Sequence, residues 1–306
     1  MVNINGFILI NKHKGITSRG VIDYISKSLK VKKVGHAGTL DPLASGLLPV
    51  AIGEATKIIS FVQNMRKFYT FRINWGKSTT TDDLEGEEIS SSDYRPSKKE
   101  ILNLIPKFTG EIKQVPPKFS AIKVNGRRSY DLARKNIAVR HKSRNIMIYD
   151  FKLVKYIDKD ISEFNVSCSK GTYIRSLARD FGKELNTEAH IIELKRKSVG
   201  FFSLDNAILL DLSKKLIHSP VILKNLITID EIMKNYPSLE LNSLEATRIK
   251  HGQKIKVSDM KYFGEFMKTY PNFNEIDNVY CFKKINPIAL SKISDDVLKP
   301  IKVFNL

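Results

Sequence analysis

VGHAGTLDPLASGLLPVAIGEATK, Val34 to Lys57, holds one formal charge in the nineteen residues from Val34 to Ile52, and that charge is Asp41. The chain around it carries 51 Lys and Arg against 32 Asp and Glu. An Asp-Pro pair in a loop is ordinary turn chemistry, with the carboxylate bonded to local backbone and the proline fixing φ. Two features go beyond a turn. Gly35, Gly38 and Gly46 permit a close backbone approach that side chains would obstruct, and the only other titratable group nearby is His36. An ionised aspartate in such surroundings must find a partner or shift its pKa. The partner has to come from elsewhere in the chain, so the fold is one that brings a distant cation to this loop.

A candidate lies in CSKGTYIRSLARD, Cys168 to Asp180. A strand over Phe164 to Cys168 leads through Lys170-Gly171 into a helix, on which Ile174, Leu177, Ala178, Phe181 and Leu185 trace one apolar face. Arg175, near that helix start, can pair bidentately with a carboxylate while Tyr173 presents a ring beside it. Taken alone, Arg175 reads as a surface cation or a phosphate contact before it reads as a carboxylate's partner, and spacing does not bring it to Asp41.

Short alternating segments fill the first two thirds of the chain. FYTFRINW, Phe68 to Trp75, puts Tyr69, Phe71, Ile73 and Trp75 on one face, the period of a half-buried strand. Phe119 to Val124 reads as a strand running into Asn125-Gly126, a tight hairpin turn. Ser97 to Glu100 fits a capping box ahead of Ile101, Leu102, Ile105 and Phe108. Helices interspersed among antiparallel strands predict an α+β fold with a mixed, mainly antiparallel sheet and flanking helices, not a doubly wound parallel sheet. The pattern breaks near Tyr236-Pro237. This predicts one domain over 1–235 and a small, lysine-rich, β-rich domain over 236–306.

The net charge of +19 and a pI near 9.7 point to a polyanionic partner. A Lys-, Ile- and Asn-rich composition raises Lys without any partner, yet does not account for so large an excess over the acids. A membrane surface is the lesser alternative. Cys168 and Cys281 offer neither metal-ligand spacing nor a disulfide framework, which fits a reducing cytoplasm. No apolar run has membrane length, so a soluble protein is expected.

GHAGTLDPLASGLLPVAIGEATK, KFYTF, PPKFSAIKVNGRRSYDLAR and CSKGTYIRSLARD, in this order, resemble the bacterial TruB family of tRNA pseudouridine synthases across residues 5–200. The resemblance implies a pseudouridine-synthase catalytic domain followed by a PUA-like RNA-binding domain. It implies Asp41 as catalytic nucleophile, Tyr69 packing on the target base, Tyr173 and Arg175 of the GTYIR element in the site, and Leu194 of HIIELKR as an apolar wall. His36 maps to a residue that helps hold the opened T-loop. The implied substrate is tRNA, contacted at the T-arm and, through SLEATRIKHGQKI at Ser243 to Ile255, at the acceptor end. The implied reaction converts uridine 55 to pseudouridine with no cofactor, no metal and no obligate protein partner. The opening element departs from the family's KPxG, reading KHKG from Lys12 to Gly15, with His13 in the proline position.

The chemistry suits these residues. Cleaving N1–C1′ and rejoining C1′ to C5 of the same base is a redox-neutral rearrangement that a carboxylate can promote by attack at sugar or base, or by proton transfer. The target nucleotide must be flipped from a folded RNA, for a few kcal/mol of lost stacking; stacking on Tyr69 and phosphate contacts from Lys33, Lys57, Lys123, Arg127 and Arg128 can offset this. Three other functions remain open at this point. A guide-RNA-dependent pseudouridine synthase shares the catalytic elements, although TTTDDLEGEEIS, Thr79 to Ser90, favours the stand-alone type. An RNA chaperone accounts for the charge without Asp41. An aspartyl phosphotransferase commonly has a second acid two residues on, where this chain has Leu43.

Overall fold

The computed structural model describes residues 4–124, 126–135, 137–209, 224–271 and 275–306. The strands of the first part are β1 (Gly6–Lys12), β2 (Val34–His36), β3 (Ser45–Ile52), β4 (Lys67–Trp75), β5 (Lys77–Thr79), β6 (Glu88–Ser91) and β7 (Gly110–Gln114). They continue as β8 (Lys123–Val124), β9 (Arg127–Arg128), β10 (Arg144–Tyr156), β11 (Ile161–Cys168), β12 (Ala189–Val199), β13 (Phe202–Ser203) and β14 (Ile208–Leu209). Eight of them form one sheet in the order β14-β1-β3-β12-β4-β11-β10-β7, with β13 beside β12 and β2 beside β3. The β1–β14 and β3–β12 pairs are parallel, and the other pairs in this sheet are antiparallel. The fold is α+β with a mixed, mainly antiparallel sheet. β12 arrives late in the chain yet lies between β3 and β4.

The helices of this part are α1 (Ser18–Leu29), α2 (Ile59–Asn64), α3 (Lys98–Leu104), α4 (Ser129–Arg134) and α5 (Ile174–Glu184). The alternation read from β4 is the observed burial: Tyr69, Phe71, Ile73 and Trp75 are buried, and the residues between them are half-buried. Those rings face the apolar side of α5, where Phe181 lies 6.2 Å from Trp75 and 5.9 Å from Phe164 between ring centroids. Ser97 caps α3 in a complete capping box with Glu100. β1 and β3 are buried on both faces, which explains their near-continuous apolar sequences. Ile8, Ile10, Leu48 and Val50 join the core under α1 and α5, whereas Phe7, Leu9, Leu47 and Ala51 join a second core with Phe61 and Val62 of α2.

The expected strand over Phe119 to Val124 shrinks to Lys123–Val124. The carbonyls before it are already taken: Ser120 O accepts from Tyr130 N and Ile122 O from Ser129 N, which folds the segment against the start of α4 instead of along a ladder. Lys123–Val124 pairs antiparallel with Arg127–Arg128, with Gly126 at φ +82° between them. Asn125, the other half of the expected turn, lies outside the described residues.

A second, five-stranded sheet is built from β15 (Ser238–Glu240), β16 (Ile255–Lys256), β17 (Glu275–Lys283), β18 (Asn286–Ser294) and β19 (Val297–Val303), in the order β15-β17-β18-β19-β16. The Ser243–Lys250 helix packs on it, capped by Asn242 and Glu245. Tyr280, Leu290 and Phe304 of this part share the second core with Phe7 and Leu47. A polar clasp closes the same junction. Glu54 accepts from Asn305 N–H and Lys33 Nζ, each at 2.8 Å; Lys57 Nζ reaches Glu54 and the Val303 carbonyl; and Lys302 Nζ donates to Lys57 O at 2.8 Å.

Candidate active site

The loop between β2 and β3 carries Asp41, and its shape follows from its small residues. Gly38 and Gly46 adopt φ of +115° and +100°, a region open to glycine at no steric cost. Ser18, at the start of α1, accepts from Leu40 N–H and donates to Leu40 O. On the other side of Asp41, Pro42 O accepts from Gly15 N–H at 2.8 Å and lies 3.4 Å from Lys12 Nζ. The KHKG turn therefore forms around Lys12 and Gly15 with His13 exposed, and histidine in place of proline leaves it intact. Burial pulls the Lys12 ammonium down to about 8, against the opposing pull of Asp41.

Arg175, on the first turn of α5, donates from Nε to Asp41 Oδ2 at 2.9 Å. The Asp41 side chain stays 31% exposed while Arg175 is buried, so the pair opens on one side only. The pairing is not the bidentate fork expected from sequence. Arg175 Nη1 donates to Thr81 O at 2.8 Å and Nη2 to Phe119 O at 3.0 Å, which leaves Nε alone for the carboxylate. One guanidinium thus ties together three segments distant in sequence.

Further acids surround it. Asp83, buried, has Oδ2 3.5 Å from Arg175 Nε, while its Oδ1 accepts from Thr81 Oγ1 and Glu85 N–H. Burial and the nearby Asp83 and Asp41 carboxylates push the Glu85 carboxyl up. Asp82 is pushed up by burial, against the pull of Arg179 and Arg175. Arg179 binds Asp82 at 3.0 Å, Asp180 at 2.9 Å and Val115 O at 2.9 Å. The TTTDDLEGEEIS segment is therefore the β5–β6 hairpin, delivering acids to the two arginines of α5.

The other expected site residues fall around this pair as follows. Tyr69 is buried on β4, with Arg196 Nη1 3.4 Å from its hydroxyl; burial pushes the phenol up, and Arg196 opposes that rise. Tyr173 precedes α5, clamped by Gln114, whose amide accepts from Tyr173 N–H at 2.8 Å and donates to Tyr173 O at 3.0 Å. The Arg144 guanidinium lies 4.9 Å from the Tyr173 ring centroid. Leu194 is buried in the α1/α5 core. His36, on β2, has a buried Nδ1 without a hydrogen-bond partner, and burial followed by the Arg196 charge lowers its pKa. Of the expected phosphate contacts, Lys33 and Lys57 are engaged by Glu54, whereas Lys123, Arg127 and Arg128 stand exposed on the β8–β9 hairpin. Sequence reasoning missed Arg196, Asp83, Lys12 and Gln114. Arg196 and Asp83 lie inside stretches quoted for other reasons, and nothing local sets them apart. Among the described residues, no three His, Cys, Asp or Glu side chains group as metal ligands.

The family model for the N-terminal domain of TruB family pseudouridylate synthase matches residues 26–174. The tRNA pseudouridine synthase B of Rhodospirillum rubrum is 40% identical over 304 residues, spanning 99% of this chain and 97% of its own. The chain belongs to the TruB family of pseudouridylate synthases. Its namesake in Bartonella henselae is 46% identical over 238 residues, 75% of each chain. Among solved structures, an H/ACA RNP bound to a substrate RNA containing 2′-deoxyuridine has a chain of the same fold, with a TM-score of 0.68 and 22% identity over 98% of this chain and 85% of that one. As a TruB family member, the protein is an enzyme, an isomerase acting on RNA uridine, and Asp41, Arg175 and their neighbours are its candidate machinery.

Proposed function

We propose that the chain isomerises uridine 55 in the T-loop of tRNA to pseudouridine, with Asp41 as nucleophile, without a cofactor and without a guide RNA. The observation that carries this reading is the 2.9 Å bond from Arg175 Nε to Asp41 Oδ2, in a loop whose only acid is Asp41, within a chain related over nearly its whole length to a tRNA pseudouridine synthase B. Arg175 orients the carboxylate through the Nε–Oδ2 bond. The Oδ1 edge is left to meet the flipped nucleotide, consistent with the partial exposure of the side chain. Tyr69 supplies the ring on which the uracil packs, Tyr173 a second wall, Leu194 the apolar floor, and His36 holds the opened loop. Lys123, Arg127 and Arg128 offer exposed charge for the RNA backbone.

In the same reading, residues 1–235 are the catalytic domain and 236–306 a PUA-like domain that takes the acceptor end. No helix among the described residues is long and apolar enough to cross a membrane. A cytoplasmic enzyme meeting tRNA directly fits the family and the charge.

The test is to incubate purified protein with unmodified T-arm transcript, without metal or any other protein, and to map pseudouridine. Product at position 55 is expected from the parent and none from Asp41→Asn or Asp41→Ala, with RNA affinity within about threefold because the acid does not neutralise phosphate. Substantial turnover by Asp41→Ala would remove the nucleophile assignment. Product only when a guide RNA is added would move the enzyme to the guide-dependent class.

A further inference from the structure

Arg196 is 1% exposed, and among the described residues no carboxylate pairs with it. Burying a guanidinium is costly unless its donors are satisfied. Here they are spent on one region. Nε donates to Leu47 O at 2.8 Å, Nη2 to Gly38 O at 2.9 Å, and Nη1 lies 3.4 Å from both Thr39 O and the Tyr69 hydroxyl. Gly38 and Thr39 precede Asp41, and Leu47 follows it. The side chain therefore staples both ends of the loop whose carboxylate Arg175 holds.

The sheet register dictates this placement. Arg196 on β12 sits opposite Gly46 of β3 and opposite Tyr69 of β4. The approach to β3 is so close that a Cβ on Gly46 would lie 2.2 Å from Arg196 O. With its guanidinium carbon 6.0 Å from the Tyr69 ring centroid, Arg196 lies between the loop and the ring. A guanidinium only donates, so the phenol oxygen must accept from it. The phenolic proton is then directed away from Arg196, which leaves it to a group entering the pocket. The same charge opposes the rise that burial imposes on the phenol's pKa.

We infer that Arg196 is a positioning residue of the reaction: its bonds to Leu47 O and Gly38 O anchor the guanidinium, which in turn orients the Tyr69 hydroxyl. This rests on the reading of Tyr69 as the ring that meets the target base. Its action on the reaction passes through Tyr69, so its removal should be felt only where the hydroxyl is present.

A double-mutant cycle tests this by single-turnover pseudouridine formation at saturating T-arm RNA, using the parent, Arg196→Lys, Tyr69→Phe and the double variant. A lysine ammonium keeps the charge but cannot span Gly38, Leu47 and Tyr69 at once. Arg196→Lys is expected to slow the parent by about 10- to 100-fold with RNA Kd within about threefold, and to slow Tyr69→Phe by less than about threefold. An equal loss in both backgrounds, or a parental rate in Arg196→Lys, overturns the inference. A second measurement stands even where Arg196→Lys does not fold, and needs no RNA. In ¹⁵N spectra of the folded protein, Tyr69→Phe should move the Arg196 Nη1 signal and leave its Nε signal, bonded to Leu47 O, in place; an unmoved Nη1 signal overturns the inference. Failure of the nucleophile reading is separate, since it shows as turnover in Asp41→Ala whatever Arg196 does.

Discussion

Replacing Glu54 by glutamine tests the clasp between the two sheets. Glu54 is 4% exposed, and burial alone would push its carboxyl up. Asn305 N–H, Lys33 and Lys57 together outweigh that effect and bring it down from 4.5 to about 2. A lowering of that size corresponds to about 3 kcal/mol favouring the folded state at neutral pH. Lys33 is largely exposed, and screening of its share reduces the expected loss in Glu54→Gln to about 2 kcal/mol. Because the folded pKa is depressed, this stabilisation is complete above the unfolded value of 4.5 and vanishes as the pH falls through about 2. The assay is urea unfolding of parent and variant from pH 8 to pH 3. The fluorescence of Trp75, the only tryptophan and fully buried in the first sheet, is followed alongside far-UV circular dichroism for the whole chain. The gap between the two proteins should be constant down to about pH 5.5 and narrow below 4.5. A gap of the same size at pH 3 and pH 7, or none at pH 7, refutes the reasoning.

Arg175→Lys keeps the charge but cannot serve Asp41, Thr81 O and Phe119 O together; its single-turnover rate at saturating RNA should fall by about 100-fold, and a rate equal to the parent's would show that the three-way tie is dispensable. Gly46→Ala puts a Cβ 2.2 Å from Arg196 O at a φ of +100°, so a loss of about 3 kcal/mol or more is expected in thermal melts; a melting temperature within about 2 °C of the parent's would contradict the close approach of β3 and β12.

What the sequence disclosed was whatever repeats with a local period. The Tyr69-to-Trp75 alternation, the Ser97 capping box and the Ile174-to-Leu185 stripe each depend on neighbours within one turn or two strand positions, and each is found in place. The lone acid was legible for a similar reason, since its oddity was the absence of charge around it. What it could not disclose were contacts between segments. Arg196 reads as one more cation in a basic chain until β12 is placed between β3 and β4. The two Nη groups of Arg175 read as free for Asp41 until the Thr81 and Phe119 carbonyls take them. Lys33 and Lys57 read as RNA contacts because Asn305 and Val303, which complete their environment, lie almost at the other end of the chain.

The insertion of β12 between two early strands also sets a clock on biosynthesis. Asp41 and Arg175 are separated by 134 positions, and a ribosome adding about 5 to 20 residues per second leaves the aspartate without its guanidinium for about 7 to 27 s. Through that interval β3 and β4 cannot complete their pairing, because the strand between them has not been made. The nascent chain emerges with Asp41 still lacking Arg175, and a product cut short before β12 holds the acid without the strand that joins β3 to β4. The paired carboxylate and its stapled loop therefore take shape late in synthesis, once residues 175 and 196 have both left the ribosome.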